Sequence, residues 1–167
     1  MIVSNSSCLI ILERLGKQYL LEKMFHRIVI PRAVSEEVFG GKELPAWVEM
    51  REIQHSLPRG FFEKTLGKGE SEAIALALEL RADLLIVDDF AARRTAEKAG
   101  LRIAGVISVL LEGKRRGLIN CVRDAMNEMR KNDFRISEET YKDALVMAGE
   151  ERDTSKDEPP GPRFSPE

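Results

Sequence analysis

Acidic and amide side chains follow two short apolar runs of this sequence. Asp88 and Asp89 come directly after residues 84–87, the most apolar strand-length run in the chain, and Asn5 follows Ile2-Val3-Ser4. A continuous apolar run of this length is typical of a parallel strand buried on both faces. Because ligands bind at the carboxyl ends of strands in an open parallel sheet, we expect these polar side chains to border a site.

Two glutamates, Glu70 and Glu72, open a strongly helical segment. At about 100° per residue they point about 200° apart, so one helix face cannot present both. Ile74 lies about 40° from Glu70 on the apolar face, which predicts that Glu70 faces the site and Glu72 is solvated. The same projection places Glu37 at the edge of the apolar stripe of the preceding helix, with Glu36 nearer to solvent.

Clustered carboxylates repel one another and raise each other's pKa unless a divalent cation compensates their charge. An oxygen-rich donor set suits Mg²⁺ or Mn²⁺. Such ions generate a hydroxide nucleophile and stabilise both oxygens in phosphodiester cleavage. The pattern leaves a second interpretation open, in which Asp88-Asp89 caps a helix and the glutamates are solvated.

The elements that must position these residues alternate short extended runs with longer helices, which predicts an α/β fold with a parallel β-sheet flanked by helices. Strands are predicted at residues 2–4, 27–30, 84–87 and 101–104, and helices at 6–15, 18–25, 31–39, 70–80, 90–99 and 107–116. Residues 42–68 are expected to hold a short helix and a strand. Ser6 or Ser7, Pro31 and Ser137 are the predicted helix starts. A C-terminal helical hairpin at about 120–149 is predicted to pack on the sheet.

Length and composition fit one globular domain. The chain has 167 residues, of which 43% are hydrophobic and 32% charged, which excludes a wholly disordered or collagen-like chain. Its net charge of −2 means that any nucleic-acid binding must be local. We expect a single domain at residues 1–149, with a core at about 1–117, and a disordered tail at 150–167 that holds four of the seven prolines.

Apolar runs, the N-terminal residues and the two cysteines indicate the cellular compartment. The longest apolar run has six residues, whereas a membrane-spanning helix needs about 20. No signal-peptide pattern opens the chain. Cys8 and Cys121 lie in helical patterns, which suits buried free thiols in a reducing compartment. We expect a cytoplasmic protein without a membrane segment.

Four motifs resemble the PIN-domain (PilT N-terminus) family, whose members include VapC-like toxin ribonucleases. They are Ile-Val-Ser-Asn-Ser-Ser-Cys-Leu-Ile, Ile-Pro-Arg-Ala-Val-Ser-Glu-Glu-Val, Gly-Lys-Gly-Glu-Ser-Glu-Ala-Ile-Ala-Leu-Ala and Leu-Leu-Ile-Val-Asp-Asp. The resemblance covers roughly residues 1–117. It implies a parallel sheet flanked by helices and metal-dependent RNA cleavage through an acidic cluster.

The resemblance also implies which residues form the site. The implied metal ligands are Asn5, Glu37, Glu70, Asp88 and Asp89, the last four being catalytic as well. Secondary candidates are Ser4 and Ser6, which flank Asn5, and Glu72 if the helix register differs. Asn5 departs from the family's usual Asp, and because an amide brings no charge, metal affinity should fall.

On this resemblance we expect a Mg²⁺- or Mn²⁺-dependent endoribonuclease, the toxin of a toxin–antitoxin pair, that binds RNA and an antitoxin and forms a homodimer. The implied rim cations are Lys68, Arg93, Arg94, Lys114, Arg115 and Arg116. The alternative is a catalytically weakened PIN-fold module that binds RNA or a partner. A response-regulator-like receiver is discounted because it needs its Asp pair where this chain has Asn5.

Overall fold

Five parallel strands form one sheet in the computed structural model, which describes residues 1–55 and 66–151. The strands are β1 (Ile2–Ser4), β2 (Ile28–Pro31), β3 (Val48–Arg51), β4 (Leu84–Ile86) and β5 (Ile103–Ala104). Their order in the sheet is β3-β2-β1-β4-β5, so the chain winds outward from β1 to one edge and from β4 to the other. The predicted α/β class is confirmed.

Eight helices flank the sheet within these described ranges, and the predicted bounds agree with them to about two residues. They are α1 (Ser6–Arg14), α2 (Tyr19–Phe25), α3 (Arg32–Phe39), α4 (Lys68–Glu79), α5 (Phe90–Lys98), α6 (Val106–Arg115), α7 (Val122–Lys131) and α8 (Glu138–Ala148). None of the helices in the described ranges is long and apolar enough to cross a membrane. The described part of residues 42–68 holds β3 and no short helix. Residues 152–167 of the predicted tail lie outside the described residues.

The strands divide the core into two apolar layers. Ile28 and Ile30 of β2 pack in the layer that contains α1, α2, α6 and α7, whereas Val29 between them packs in the layer of α4 and α5. Successive strand residues point to opposite faces of a sheet. Both faces are covered, which explains why the strands have continuous apolar sequences.

Three local predictions need correction. The N-cap of α1 is Asn5, not Ser6 or Ser7, because the Asn5 side chain accepts the Cys8 backbone N–H. Pro31 ends β2 and is the N-cap of α3, where it has no side chain to offer the helix. The C-terminal hairpin of α7 and α8 packs chiefly on α6 rather than on the sheet, since α1, α2 and α6 already cover that face.

Glu150, at the first position of the predicted tail, holds the end of the described chain against α7. Its carboxylate accepts the backbone N–H groups of Val122, at 2.6 Å, and Arg123, at 2.8 Å, and it pairs with Lys114 at 2.6 Å. These N–H groups belong to the first turn of α7, where a negative charge is favoured. Although burial raises it, the contacts with Lys114, Val122 and Arg123 bring the pKa of Glu150 down to about 2.

We expect Glu150→Gln to lower the free energy of unfolding at pH 7 by about 1–3 kcal/mol, because it removes charged hydrogen bonds. The folded pKa of about 2 lies below the ordinary 4.5, so the stabilisation is complete above pH 4.5 and is lost as pH falls towards 2. Urea unfolding over this pH range measures both effects. Glu151→Gln, at the exposed neighbouring residue, is the matched control. Equal midpoints for wild type and Glu150→Gln at pH 7 would refute this role.

Candidate active site

The register between β1 and β4 brings Asn5 and Asp88 to the same edge of the sheet. Ser4 pairs with Ile86, and the backbone N–H of Asn5 donates to the Ile86 carbonyl at 3.1 Å. Both strands therefore end at the same level. They are also the two strands between which the chain reverses its direction of winding, the position where open α/β sheets bind ligands.

The Asn5 side chain is fully buried and already hydrogen-bonded at both ends of its amide. Its Oδ1 accepts the Cys8 N–H at 3.3 Å, and its Nδ2 donates to Ser7 Oγ at 2.9 Å. A carbonyl oxygen has two lone pairs, so Oδ1 keeps one for a further donor or a cation. Ser4, also fully buried, donates its hydroxyl to the Asn5 backbone carbonyl at 3.2 Å and so faces no ligand.

Asp88 is held by two donors from different helices. Its Oδ2 accepts the backbone N–H of Val106 at 2.9 Å, and the Cys8 thiol lies 3.0 Å from the same oxygen. Burial raises the pKa of Asp88, while the bonds from Cys8 and Val106 and the charge of Arg93 oppose the rise. Burial also raises the pKa of Cys8 well above its usual range. The thiol therefore stays protonated and donates a hydrogen bond to Asp88.

Gly105, between β5 and α6, is a site residue that sequence reasoning missed. A Cβ at this position would overlap Asp88 Oδ1 and lie 2.9 Å from Arg93 Nη1. Arg93 in turn donates to the Val87 carbonyl at 3.4 Å. A residue without a side chain is therefore needed for Asp88 and Arg93 to lie where they do. The available signal was a glycine directly after a strand and before a helix.

Glu37 belongs to a second group, which α1, α3 and α4 assemble. Ser6 Oγ donates to Glu37 Oε2 at 2.5 Å. A Cβ on Gly69 would lie 2.8 Å from Ser6 Oγ and 3.2 Å from Glu37 Oε2, so α4 approaches this pair closely only because residue 69 is glycine. Ser6 is thus a positioning residue for Glu37.

Glu70 borders the same group from the first turn of α4. It is half-buried and lines a cleft of about 550 Å³ together with Glu36, Glu37 and Gly67. Its carboxylate turns back towards the Gly67 backbone. No cation within the described residues forms an ion pair with Glu37 or Glu70. Glu37 and Glu70, both candidate site residues from the sequence, thus line the same cleft.

The prediction that Glu72 is solvated is wrong. Its Oε2 accepts the backbone N–H of Ala33 at 2.9 Å, and Lys68 lies 3.9 Å from its other oxygen. Ala33 stands in the first turn of α3, the helix to which Pro31 gives no capping side chain. Glu72 therefore caps a neighbouring helix. A projection of α4 alone contains no information about the unpaired N–H groups of α3.

Asp89 has the structural role that the second interpretation gave to the Asp pair. Its side chain is the N-cap of α5 and accepts the Ala92 N–H at 2.9 Å. The residue is exposed at the edge of the site. Of the predicted residues, the structure thus brings Asn5 and Asp88 together in one group and Ser6, Glu37 and Glu70 in the other. Consecutive residues, Asn5 and Ser6, join the two groups.

A comparison with protein families identifies what this arrangement belongs to. The family model described as DUF3368: PIN domain matches residues 1–150. The chain belongs to the PIN-domain family. Among solved structures, it is similar to a PilT N-terminus domain protein, SSO1118, from the hyperthermophilic archaeon Sulfolobus solfataricus P2, with 26% identity over 67% of this chain and 92% of that chain and a TM-score of 0.47. No curated protein matches the chain.

PIN domains have a nuclease-type fold and in general depend on divalent metals. The donor atoms of this PIN domain can therefore be compared with those that a divalent cation needs. Its donors are carboxylate and amide oxygens, the type that Mg²⁺ and Mn²⁺ prefer. Within residues 1–55 and 66–151, no three His, Cys, Asp or Glu side chains lie close enough to form a ligand group. Because Mg²⁺ is often held by one or two carboxylates and several waters, the donors fit a weakly held cation.

The cations of this PIN domain are distributed differently from the predicted rim. Lys68 begins α4, and Arg93 and Arg94 lie in the first half of α5, so all three are on the carboxyl side of the sheet. The other three predicted cations lie near the far end of α6, about 12 Å or more along the helix from Val106. Lys114 pairs with Glu150, and Arg115 and Arg116 pair with Glu112. Their assignment to the rim is wrong.

The free energy of unfolding of variants can distinguish Glu72, which caps α3, from Glu70, which lines the cleft. We expect Glu72→Ala to lower the free energy of unfolding by about 1 kcal/mol, because α3 loses its cap. Glu72→Gln should keep most of the wild-type stability, since its amide oxygen can still accept the Ala33 N–H. Glu70→Gln should change the free energy of unfolding by less than about 0.5 kcal/mol. Urea titrations followed by circular dichroism measure all three variants. Equal destabilisation by Glu70→Gln and Glu72→Ala would contradict the assignment.

Proposed function

We propose that this PIN domain is a VapC-like endoribonuclease that uses Mg²⁺ or Mn²⁺ to hydrolyse phosphodiester bonds of RNA. One observation carries the proposal: three elements bring Asp88, Glu37 and Glu70 to the carboxyl edge where the winding of the sheet reverses. None of these carboxylates forms an ion pair with a described residue, although the charge of Arg93 acts on Asp88. Unpaired carboxylates at a ligand-binding edge, in a family of divalent-metal nucleases, support hydrolysis of a phosphate ester.

The proposal assigns a role to each side chain. One or two of the carboxylates of Asp88, Glu37 and Glu70 would ligate the cation directly and the others through water, since no three acidic side chains of the described residues lie close enough to share it. Asn5 would add a neutral carbonyl oxygen, and Asp89 would assist Asp88 from the start of α5. A divalent cation bound there supplies the positive charge that stabilises the attacking and leaving oxygens of the phosphodiester.

The attacking water must be oriented by a carboxylate that the fold leaves accessible. Glu70 meets this condition, since it is half-buried and lines the cleft beside Glu37. Glu70 would accept a proton from the water as the water oxygen bonds to phosphorus. The bond between phosphorus and the leaving ribose oxygen would break, and that oxygen would take up a proton from solvent water. Asp88 is less suited to this step because its Oδ2 already accepts two donors.

A second function, a PIN-fold module that binds RNA or a partner with little catalysis, is favoured by the chemistry of Asn5. Its amide replaces a carboxylate in the middle of the site and is engaged by Cys8 and Ser7. The ligand set therefore has one negative charge fewer than the family's usual Asp would give it. Lower charge means weaker binding of a divalent cation.

The proposal includes four further features. We propose one domain over residues 1–149, an antitoxin partner, a homodimer and a cytoplasmic location. The free, buried thiol of Cys8 supports a reducing compartment. The apolar residues of α1 and α2 give no support to dimerisation, since Leu9, Leu12, Leu20 and Leu21 are fully buried within the chain. Sedimentation equilibrium at micromolar concentration tests the dimer.

Asn5→Asp distinguishes the two functions. Aspartate caps a helix as well as asparagine does, and the Ser7 hydroxyl can rotate to donate to it, so the variant should fold. If the chain is a weakened ribonuclease, the added charge should tighten Mn²⁺ binding and raise Mn²⁺-dependent cleavage of a mixed-sequence RNA by about ten-fold or more, about 1.4 kcal/mol. Calorimetry and gel-based cleavage assays measure these effects.

The matched control is the double variant Asn5→Asp with Asp88→Asn, which keeps the number of carboxylates but removes Asp88. It should show no gain in either binding or cleavage. Asn5→Asp that binds RNA yet cleaves none of it at millimolar Mn²⁺ would overturn the ribonuclease and favour the binding module.

A further inference from the structure

We infer that Phe90 is a stacking platform for an unpaired base of single-stranded RNA, with Arg94 binding an adjoining phosphate. The inference deepens the proposed function and rests on its RNA substrate. Phe90 is 78% exposed, more than any other large apolar side chain in residues 1–55 and 66–151. It is the first residue of α5, directly after Asp88 and Asp89.

Packing of α5 does not account for the exposure of Phe90. The helix buries Ala92, Thr95 and Ala96. Phe90 projects about 160° away from Ala92 around the helix axis, on the side opposite the core. Any polar residue would suit this first helical position, so the fold gains nothing from an aromatic ring there.

The location of the ring relates it to the candidate site. Consecutive Cα atoms are about 3.8 Å apart, so the Cα atom of Phe90 lies within about 7.6 Å of that of Asp88. Asp89, the residue between them, caps α5 and fixes the direction in which the helix leaves the sheet. A polynucleotide with a phosphate at Asp88 would thus have a neighbouring base within reach of Phe90.

The charge beside the ring favours a nucleic acid as its occupant. Arg94 lies one turn after Phe90, about 40° away on the same helix face, and it is exposed with no ion pair to any described residue. Arg93 flanks the ring on its other side at about 60°. Aromatic rings beside cations are the combination that binds single strands without sequence preference, since every base has a stacking face.

Single-stranded RNA is the substrate that these groups fit best. A ring at the edge of a shallow site can stack only on a base that is free of pairing, whereas a duplex presents its phosphates outward and its bases inward. The chain's net charge of −2 also requires a local source of affinity for RNA. Phe90 and Arg94 provide one stacking and one electrostatic contact next to the acidic site.

Binding without metal tests the inference separately from cleavage. The probe is a fluorescein-labelled, ten-nucleotide single-stranded RNA of mixed sequence, titrated in EDTA with the full chain and followed by anisotropy. We expect Phe90→Ala to raise the Kd about ten-fold, which lies within the effect of removing one stacked base. Arg94→Gln should raise the Kd and reduce the slope of log Kd against log salt by about one.

Two variants make the result specific. Met147→Ala in α8 removes a side chain of similar exposure, 75%, and should leave the Kd within about two-fold. Phe90→Trp should retain binding, and its fluorescence should be quenched by RNA beyond the change seen in wild type, whose single tryptophan is Trp47. A duplex of the same sequence should bind Phe90→Ala and wild type equally.

Equal single-strand affinities for Phe90→Ala and wild type, or an unquenched Phe90→Trp, would overturn the inference. So would a loss of self-association in Phe90→Ala with unchanged RNA affinity, which would make the ring a protein contact. If Phe90→Ala loses binding while neither wild type nor Asn5→Asp cleaves RNA with Mn²⁺, the proposed hydrolysis is refuted and the stacking role of Phe90 is supported. Wild type that binds no RNA at low salt would overturn both.

Discussion

The parallel pairing of β1 with β4 is the constraint on which the site depends. Strands that are far apart in sequence become neighbours, and the bond from the Asn5 N–H to the Ile86 carbonyl continues the ladder one residue beyond β1. This bond sets the height at which both chains leave the sheet, and therefore the position of Asn5 relative to Asp88. Apolar packing on both faces keeps the two strands from shifting, since a slip by one residue would turn buried side chains of each strand to the wrong layer.

The start of α1 transmits this constraint to the rest of the site. Asn5 caps the helix and lies beside the Cys8–Asp88 pair, whereas Ser6, the next residue, reaches Glu37 on α3. A neutral amide at this junction avoids one more carboxylate among several, and carboxylates that lack a cation destabilise one another. Asn5 thus favours the fold in the absence of a metal. The same neutrality lowers the charge available to a divalent cation, so stability and metal affinity are opposed at a single residue.

Sequence patterns predicted the sheet edge because the relevant signals are local. The apolar run before Asp88 and the short strand before Asn5 identify strand ends, and in a parallel sheet strand ends meet at one edge. Contacts between elements were not predictable in this way. Glu72 was misassigned because its partner is an unpaired N–H of α3. Gly69 and Gly105 are required only because polar side chains of other elements, Ser6 and Glu37 at the first and Asp88 and Arg93 at the second, occupy the space of their missing side chains.

The distribution of positive charge follows the same distinction between local pattern and tertiary contact. Lys114 is part of a basic run in the sequence, but it lies far along α6 and pairs with Glu150. Arg94 has an equally ordinary sequence context, yet α5 starts at the carboxyl edge and leaves it exposed beside Phe90. An acidic site repels a polyanion, so the proposed binding of RNA would depend on cations near the site, because salt screens a charge over about 10 Å. Helices α4 and α5 begin at this carboxyl edge and carry Lys68, Arg93 and Arg94 near their starts, whereas α6 ends far from it. The direction of each helix, more than the count of basic residues, therefore decides which cations lie beside the candidate site.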